Sequence, residues 1–213
     1  MKIVCISDTH NCNEQIEVPD GDILIHAGDA TVMGTFEEVN DFAIWFTSLP
    51  HRYKILIAGN HDWLFENNPS QARKFVQKIN YLQDSFVEIE GLKIYGSPWQ
   101  PRFYDWAFNL SRGAELAEKW KLIPLDTDIL VTHGPPNGIL DEVERKYWTE
   151  NTGCEELSKR VETLAEFGKL KLHIFGHIHC GYGQAEKFGV HFVNASNCDE
   201  EYNPTQSPIV IEI

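Results

Sequence analysis

The 213-residue sequence contains no apolar run near the eighteen or so residues that a membrane-spanning helix needs, so no membrane role is expected. No secretory leader is expected either: the apolar stretch from Ile3 to Ile6 is short and runs straight into Asp8 and His10. The cysteines show no paired spacing. Cys5, Cys12, Cys154, Cys180 and Cys198 are odd in number and scattered without a CxxC, which argues against a disulfide framework and for reduced thiols in the cytoplasm. Basic charge is scarce, with 18 Lys and Arg against 32 Asp and Glu, for a net charge of −14. No local Lys/Arg cluster offers a stripe for a phosphate backbone, so long nucleic acid is not an expected partner. Small anions remain admissible, because two divalent cations would reverse the sign locally. Repeats, low-complexity segments and linkers are absent, which leaves one domain over residues 1–213.

What the chain does have is an ordered series of short polar motifs. They are Asp8-Thr9-His10, Gly28-Asp29, Gly59-Asn60-His61-Asp62, Thr132-His133-Gly134, Gly176-His177-Ile178-His179 and Asn194-Ala195-Ser196. The first five each follow a short run rich in β-branched residues, of the kind that forms buried strands. A ligand residue placed directly after a strand stands at the carboxyl edge of a sheet, where ligands of open α/β sheets bind.

Between the strands expected at 2–7, 22–27, 53–58, 128–132 and 172–175, the pattern turns helical. Thr35 with Glu38 has capping-box spacing, and Phe36, Val39, Ala43 and Phe46 mark an apolar face. Asn68-Pro69 reads as the start of a helix through about residue 79, with further helices at 111–121 and 154–167. Glu90-Gly91 joins two strands as a hairpin, and 183–187, 190–194 and 209–213 read as β. The segment 134–153 is long for a connection and is expected to form a functional loop over the site. Strands with crossover helices followed by hairpins predict an α/β protein with two packed mixed sheets flanked by helices.

In extended backbone, residues i and i+2 face the same way. On that basis Asp8 and His10 share one metal, and His177 and His179 face one centre together. Asn60 and His61 are adjacent and diverge, one toward a metal and the other toward substrate. Asp29 follows Gly28 and has two carboxylate oxygens, which makes it the natural bridge between two cations, and His133 adds a further imidazole. This O/N set without thiolate suits Mn²⁺, Fe or Zn²⁺. The remaining histidines, His26, His51, His173 and His191, read as core or surface residues, with His26 the one nearest a supporting role.

The order D-x-H, G-D, G-N-H-D, H, G-H-x-H resembles the calcineurin-like metallophosphoesterase superfamily. The stretches Gly96 to Pro101, Trp106 to Asn109, Thr132 to Pro136, Phe175 to Gly183 and Phe192 to Ser196 resemble its small metallophosphoesterase-domain members of mammalian brain and their bacterial relatives. The likeness runs through nearly the whole chain, and Cys180 departs from the acidic residue of animal members. The resemblance implies a four-layer α/β/β/α sandwich and a binuclear centre, with Asp8, His10, Asp29 and His179 on the first metal. Asp29, Asn60, His133 and His177 would hold the second. It implies His61 near the leaving group with Asp62 orienting it, and hydrolysis of a small phosphodiester such as a cyclic nucleotide; of the metals that the donor set suits, Mn²⁺ is expected first, with Fe or Zn²⁺ as alternatives. Trp99, Phe103 and Trp106 are candidates to stack on a base, with core packing as the competing reading. A protein phosphatase is disfavoured, because Ala30-Thr31-Val32 stands where that branch has Asp-Arg-Gly. A phosphomonoesterase on the same site and a non-catalytic scaffold are the alternatives. No oligomeric state can be read from the sequence.

Overall fold

A computed structural model describes residues 1–213. In chain order the elements are β1 (Lys2–Ile6), β2 (Ile23–His26), α1 (Phe36–Ser48), β3 (Tyr53–Leu56), α2 (Trp63–Asn67), α3 (Pro69–Phe75), β4 (Asn80–Tyr81), β5 (Ser85–Ile89), β6 (Leu92–Ser97), β7 (Gln100–Pro101) and β8 (Asn109–Leu110). They continue with α4 (Ala114–Trp120), β9 (Ile129–Thr132), β10 (Glu142–Glu144), β11 (Thr149–Asn151), α5 (Glu155–Glu166), β12 (Leu172–Phe175), β13 (Gly183–Lys187), β14 (Val190–Asn194) and β15 (Ile209–Glu212). No helix is long and apolar enough to cross a membrane.

Two mixed sheets form, in the orders β15-β1-β2-β3-β4 and β13-β14-β12-β9-β6-β5. Their interior neighbours and the edge strand β4 pair in parallel, while the edge strands β15, β13 and β5 pair antiparallel, the last two as hairpins with β14 and β6. Strand alternation builds the layers. Ile3, Cys5, Ile23, Ile25 and Ile55 point between the sheets against Ile94, Ile129, Val131, Leu172 and Ile174. Val4, Ile6, Leu24 and Leu56 point outward onto Phe42, Phe46, Leu64 and Ala72 of α1 to α3. Leu130, Phe175 and Phe192 do the same against Leu116, Trp120, Leu157 and Val161 of α4 and α5. The result is the expected α/β/β/α sandwich. Strands buried on both faces explain why these runs are continuously apolar instead of alternating.

Local signals set most boundaries. Thr35 and Glu38 form the reciprocal capping box that starts α1, a device worth about 1 kcal/mol. Glu90 and Gly91 both have positive φ, the backbone of a two-residue hairpin turn. Two expected helices are shorter than their patterns. Gly113, with φ +85, delays α4 until Ala114, and α3 ends at Phe75 because the chain turns Val76 and Ile79 into the core. The Asn68 side chain makes no cap bond. The 134–153 segment is not structureless: it carries the short β10–β11 hairpin.

Candidate metal centre

The carboxyl ends of β1, β2, β3, β9 and β12 meet on one side of the two sheets, and a Ser7–Ser196 bridge stitches the sheets together there. The loops are laced by backbone hydrogen bonds: Asp8 N–H donates to Gly28 O at 2.9 Å, and His10 N–H to Asp29 O at 3.1 Å. Three groups of side-chain donors form, each with its atoms within 4.8 Å of one another: Asp8, His10 and His179; His10, Asp29 and His61; Asp29, His133 and His177. Asn60 adds its Oδ1 at 3.0 Å from His133 Nε2. All seven residues expected as ligands therefore lie in one cluster.

The groups divide differently from what the i, i+2 argument predicts. His177 and His179 do not face one centre; His179 joins Asp8, with Nε2 at 3.3 Å from Oδ1, while His177 joins Asp29 and His133. The reason lies in the backbone. Asp8, His10, Asp29 and His177 all have positive φ, so these motifs are tight turns past the strand ends and not continuing strand. Turn geometry sends the His177 and His179 side chains to different donor groups.

Three of the imidazoles are held by their far nitrogens. His133 Nδ1 donates to Ala27 O at 2.9 Å, His179 Nδ1 to Asp199 O at 2.8 Å, and His61 Nδ1 to Val32 O at 2.8 Å. Every one of these rings thus turns Nε2 toward the cluster, the orientation that backbone carbonyls impose on metal-binding histidines. His10 is buried with neither ring nitrogen hydrogen-bonded. An unpartnered buried nitrogen beside two carboxylates, at 3.9 and 4.0 Å, is a lone pair left for a cation. Asp29 lies in two of the three groups; its Oδ1 accepts from His61 N–H at 2.7 Å, while Oδ2 approaches His133 Nε2 at 3.3 Å. The donor set, oxygen and imidazole without thiolate, fits a pair of divalent metals.

Charge among the cluster's own side chains is self-consistent. Burial alone would lower the His133 and His179 imidazoles, but Asp29 holds the first at about 9, and Asp8 holds the second at about 9. The histidine partners hold Asp8 and Asp29 well below the usual carboxylate range, against the opposing effect of their burial. His10 is pushed down to about 4 by burial, only partly opposed by the two carboxylates.

Glycines let the loops approach this closely. A Cβ on Gly176 would stand 1.9 Å from Asp8 Oδ2, one on Gly59 2.2 Å from Asp29 Oδ1, and one on Gly28 2.5 Å from His133 Nδ1.

The other expected residues separate into two kinds. Trp106 packs on His61 with ring centroids 4.1 Å apart, in a segment tied down by Ala107 N–H donating to Asn60 O at 3.1 Å. Phe103 is half exposed and edge-on to His177 at 6.1 Å. Trp99 is not at the site. Its indole packs on Phe108, donates to Asp84 at 2.9 Å and lies under Lys119, partly buried against the apolar clusters of both helix layers. Asp62 does not orient His61. Its buried carboxylate accepts from the N–H groups of Gly59, Ala30 and Thr31 and from Thr31 Oγ1, so it ties the Asn60–His61 loop to the Ala30–Thr31 loop, while the Val32 carbonyl sets the His61 ring. Among the remaining histidines, His26 supports the site by bonding Thr9 Oγ1 at 3.0 Å; His51, His173 and His191 bond elsewhere.

Two contributors carried no assigned role in the sequence. Ser196 Oγ donates to Asp8 Oδ2 at 3.0 Å, a role that its motif position hinted at. Tyr202 packs against His10 and His179, at 4.7 and 5.5 Å, from a loop fastened by the Asp199 carboxylate; no local pattern marks it. The structure also collects three arginines that are far apart in sequence. Arg102, Arg112 and Arg145 line one cleft with Phe103 and His177.

A sandwich of two mixed sheets with carboxylates and imidazoles gathered at the strand ends defines a metal-dependent hydrolase class. The calcineurin-like phosphoesterase family matches residues 1–181, and the chain belongs to that family. Metallophosphoesterase domain-containing protein 1 of Homo sapiens is 44% identical over all of this chain and 71% of its own length. A UPF0046 protein of Caenorhabditis elegans is 37% identical over all of this chain and 75% of its own. The crystal structure of TT1561 of Thermus thermophilus superposes with a TM-score of 0.58 at 15% identity, covering 99% of this chain and 98% of that one, a likeness of fold. The protein is thus a metal-dependent phosphoesterase by family, and that family typically uses a binuclear metal centre.

Proposed function

We propose that the protein is a binuclear, Mn²⁺-dependent phosphodiesterase of small phosphodiesters such as cyclic nucleotides. In this reading Asp8, His10, Asp29 and His179 hold one metal, and Asp29, Asn60, His133 and His177 hold the other. The observation that carries it is the convergence of imidazole nitrogens and carboxylate oxygens around Asp29, with His10 buried and unpartnered. The metals would supply Lewis-acid polarisation of the phosphoryl oxygens and activation of a water for in-line attack.

The chain's own residues hold and protonate. His61 donates through Nδ1 to Val32 O, so a second proton on the ring sits on Nε2 and passes to the departing oxygen as the P–O bond breaks. The Trp106 ring packs against the His61 imidazole and holds its orientation. Ser196 and the His177 N–H anchor the Asp8 carboxylate, and the Asp62 lattice fixes the Asn60–His61 turn. The diester preference is supported by Ala30-Thr31-Val32, which replaces the phosphatase Asp-Arg-Gly and is tied into that lattice. Phe103 and Trp106 flank the cluster as apolar walls for an ester group.

Hydrolysis of bis(4-nitrophenyl) phosphate against 4-nitrophenyl phosphate with Mn²⁺ tests the reading. Faster release from the diester is the expected result. A clear preference for the monoester or for phosphoprotein sinks the diesterase assignment.

A further inference from the structure

A cleft of about 300 Å³ opens directly beside His177, between the 101–103 strip and the β10–β11 hairpin. Its lining carries three guanidinium groups, from Arg102, Arg112 and Arg145, against one carboxylate, Glu150. That is three of the chain's six arginines, in a molecule of net charge −14. A concentrated positive lining against a negative background is an anion site by charge alone.

The three arginines are not equivalent. Arg112 is a brace: it donates to the carbonyls of Thr152 and Gly153, at 2.8 and 2.7 Å, and pairs with Glu155. Arg145 uses only Nε on Glu150, at 3.1 Å, which leaves its two terminal nitrogens for a ligand. Arg102 makes one 3.4 Å contact, to the fully exposed Asp105, a pairing of little strength in water. Both are half exposed, so their forks reach the cleft without leaving a buried charge behind.

The walls are built in advance. Asp141, buried, accepts from Gly138 N–H, Gly153 N–H and Asn151 Nδ2, closing the base of the hairpin segment. Asn109 clamps the opposite wall, accepting from Phe103 N–H and donating to the carbonyls of Phe103 and Tyr104. The Phe103 ring is therefore held at the mouth, half exposed and edge-on to His177. An exposed aromatic face between a reacting centre and free guanidinium groups suits a stacked base followed by a second anion.

Resting on the phosphodiesterase reading above, we propose that this cleft, on the His177 side and away from His61, is the subsite for the nucleoside that the phosphoryl group retains, and that the favoured substrates are nucleoside phosphodiesters bearing a second phosphate. The base stacks on Phe103, and Arg102 with Arg145 bind the second phosphate as fork-shaped donors. The cleft volume lies at the lower end of small-molecule sites, enough for one nucleoside-sized group and not for a polymer.

The test compares thymidine 5′-(4-nitrophenyl phosphate) with its 3′-phosphorylated form on the Mn²⁺-loaded protein, with bis(4-nitrophenyl) phosphate as reference. In the unaltered protein kcat/KM should be roughly tenfold higher for the 3′-phosphorylated substrate, mainly through KM. In the Arg102→Gln/Arg145→Gln double variant that ratio should fall toward one. Because the ratio is taken within each protein, losses of folding or metal that touch both substrates cancel. Phe103→Leu should raise KM for both nucleoside substrates relative to the reference diester. A ratio of one or below in the unaltered protein, or an undiminished ratio in the double variant, overturns the subsite while diester hydrolysis stands. Failure to release nitrophenolate from any diester overturns the phosphodiesterase reading and takes the subsite with it.

Discussion

The His61 imidazole lies over the Trp106 indole, ring centroids 4.1 Å apart and planes 32° from parallel, while its Nδ1 is fixed at 2.8 Å from the Val32 carbonyl oxygen. That clamp leaves Nε2 as the working atom. His61→Ala should lose catalysis by roughly 10²–10⁴-fold on substrates with poor leaving groups. The loss should shrink as the leaving group becomes more acidic, since such an oxygen departs without a proton. Its ring nitrogen also lies within 4.8 Å of His10 and Asp29 donors, so metal content separates proton donor from ligand. Elemental analysis should find both metals retained; loss of metal to the extent seen in His177→Ala would make His61 a ligand.

Asp29 and His10 are each common to two donor groups, but only the Asp29 carboxylate has two oxygens with which to serve two cations. Saturated protein should hold two metals per chain, and Asp29→Asn should reduce both occupancy and activity more than His10→Ala or His177→Ala. Stoichiometry near one metal at saturation would contradict the shared-carboxylate arrangement.

Gly176 stands so close to Asp8 that an added Cβ would meet Oδ2 at 1.9 Å and Ser7 Oγ at 2.2 Å. Gly176→Ala should displace the carboxylate and lower metal affinity sharply. Gly138→Ala is the contrast: a Cβ there meets nothing within 4 Å, although its φ of +78 makes the substitution mildly strained. Titration with Mn²⁺ should show the first variant impaired and the second near normal.

Asp62 supports loops instead of chemistry. Removing its carboxylate leaves three backbone N–H groups without their acceptor, at about 1–3 kcal/mol for each one that stays buried and unpaired. Asp62→Ala should therefore unfold at clearly lower denaturant concentration than the parent. His61→Ala should keep the parent's midpoint. Equal midpoints for the two variants would return Asp62 to a purely catalytic role.

The raised imidazoles fix the sign of the pH dependence without metal. His133 and His179, each held at about 9 against an ordinary 6.5, give stability that is full below about pH 6.5 and is lost as pH rises through about 9. His10, lowered to about 4, and His26, lowered to about 3, tilt the curve the other way, but only below about pH 6.5. Metal and proton compete for the same nitrogens. Binding should release protons at pH 7.5, and affinity should rise with pH until about 9. Calorimetry in two buffers of different ionisation enthalpy reads this; identical heats would contradict it.

Much of the architecture was legible because it rests on neighbours in the chain. Apolar runs such as Ile129–Thr132 and Leu172–Phe175, the Thr35–Glu38 box and the Glu90-Gly91 turn all encode local backbone, and each forms where its pattern predicts. Motif order then placed the chemistry at strand ends, because a residue that follows a buried strand has nowhere else to stand. Where the reading failed, it extended strand geometry into turns. His177 adopts positive φ, its N–H held by the Asp8 carboxylate from the loop after β1, and so parts from His179.

The sequence by itself determined the layers, the sheet edge and the set of polar residues delivered to it. Tertiary structure alone decided which histidine faces which carboxylate, that Trp99 turns into the core while Trp106 reaches His61, and that Tyr202 borders the cluster. It also decided that Arg102, Arg112 and Arg145 meet in one cleft. The division has a physical cause. Backbone propensity and side-chain period act over a few residues, whereas a turn's side-chain direction is set by hydrogen bonds to whichever loop arrives beside it, as His177 N–H is fixed by Asp8 from the opposite end of the chain.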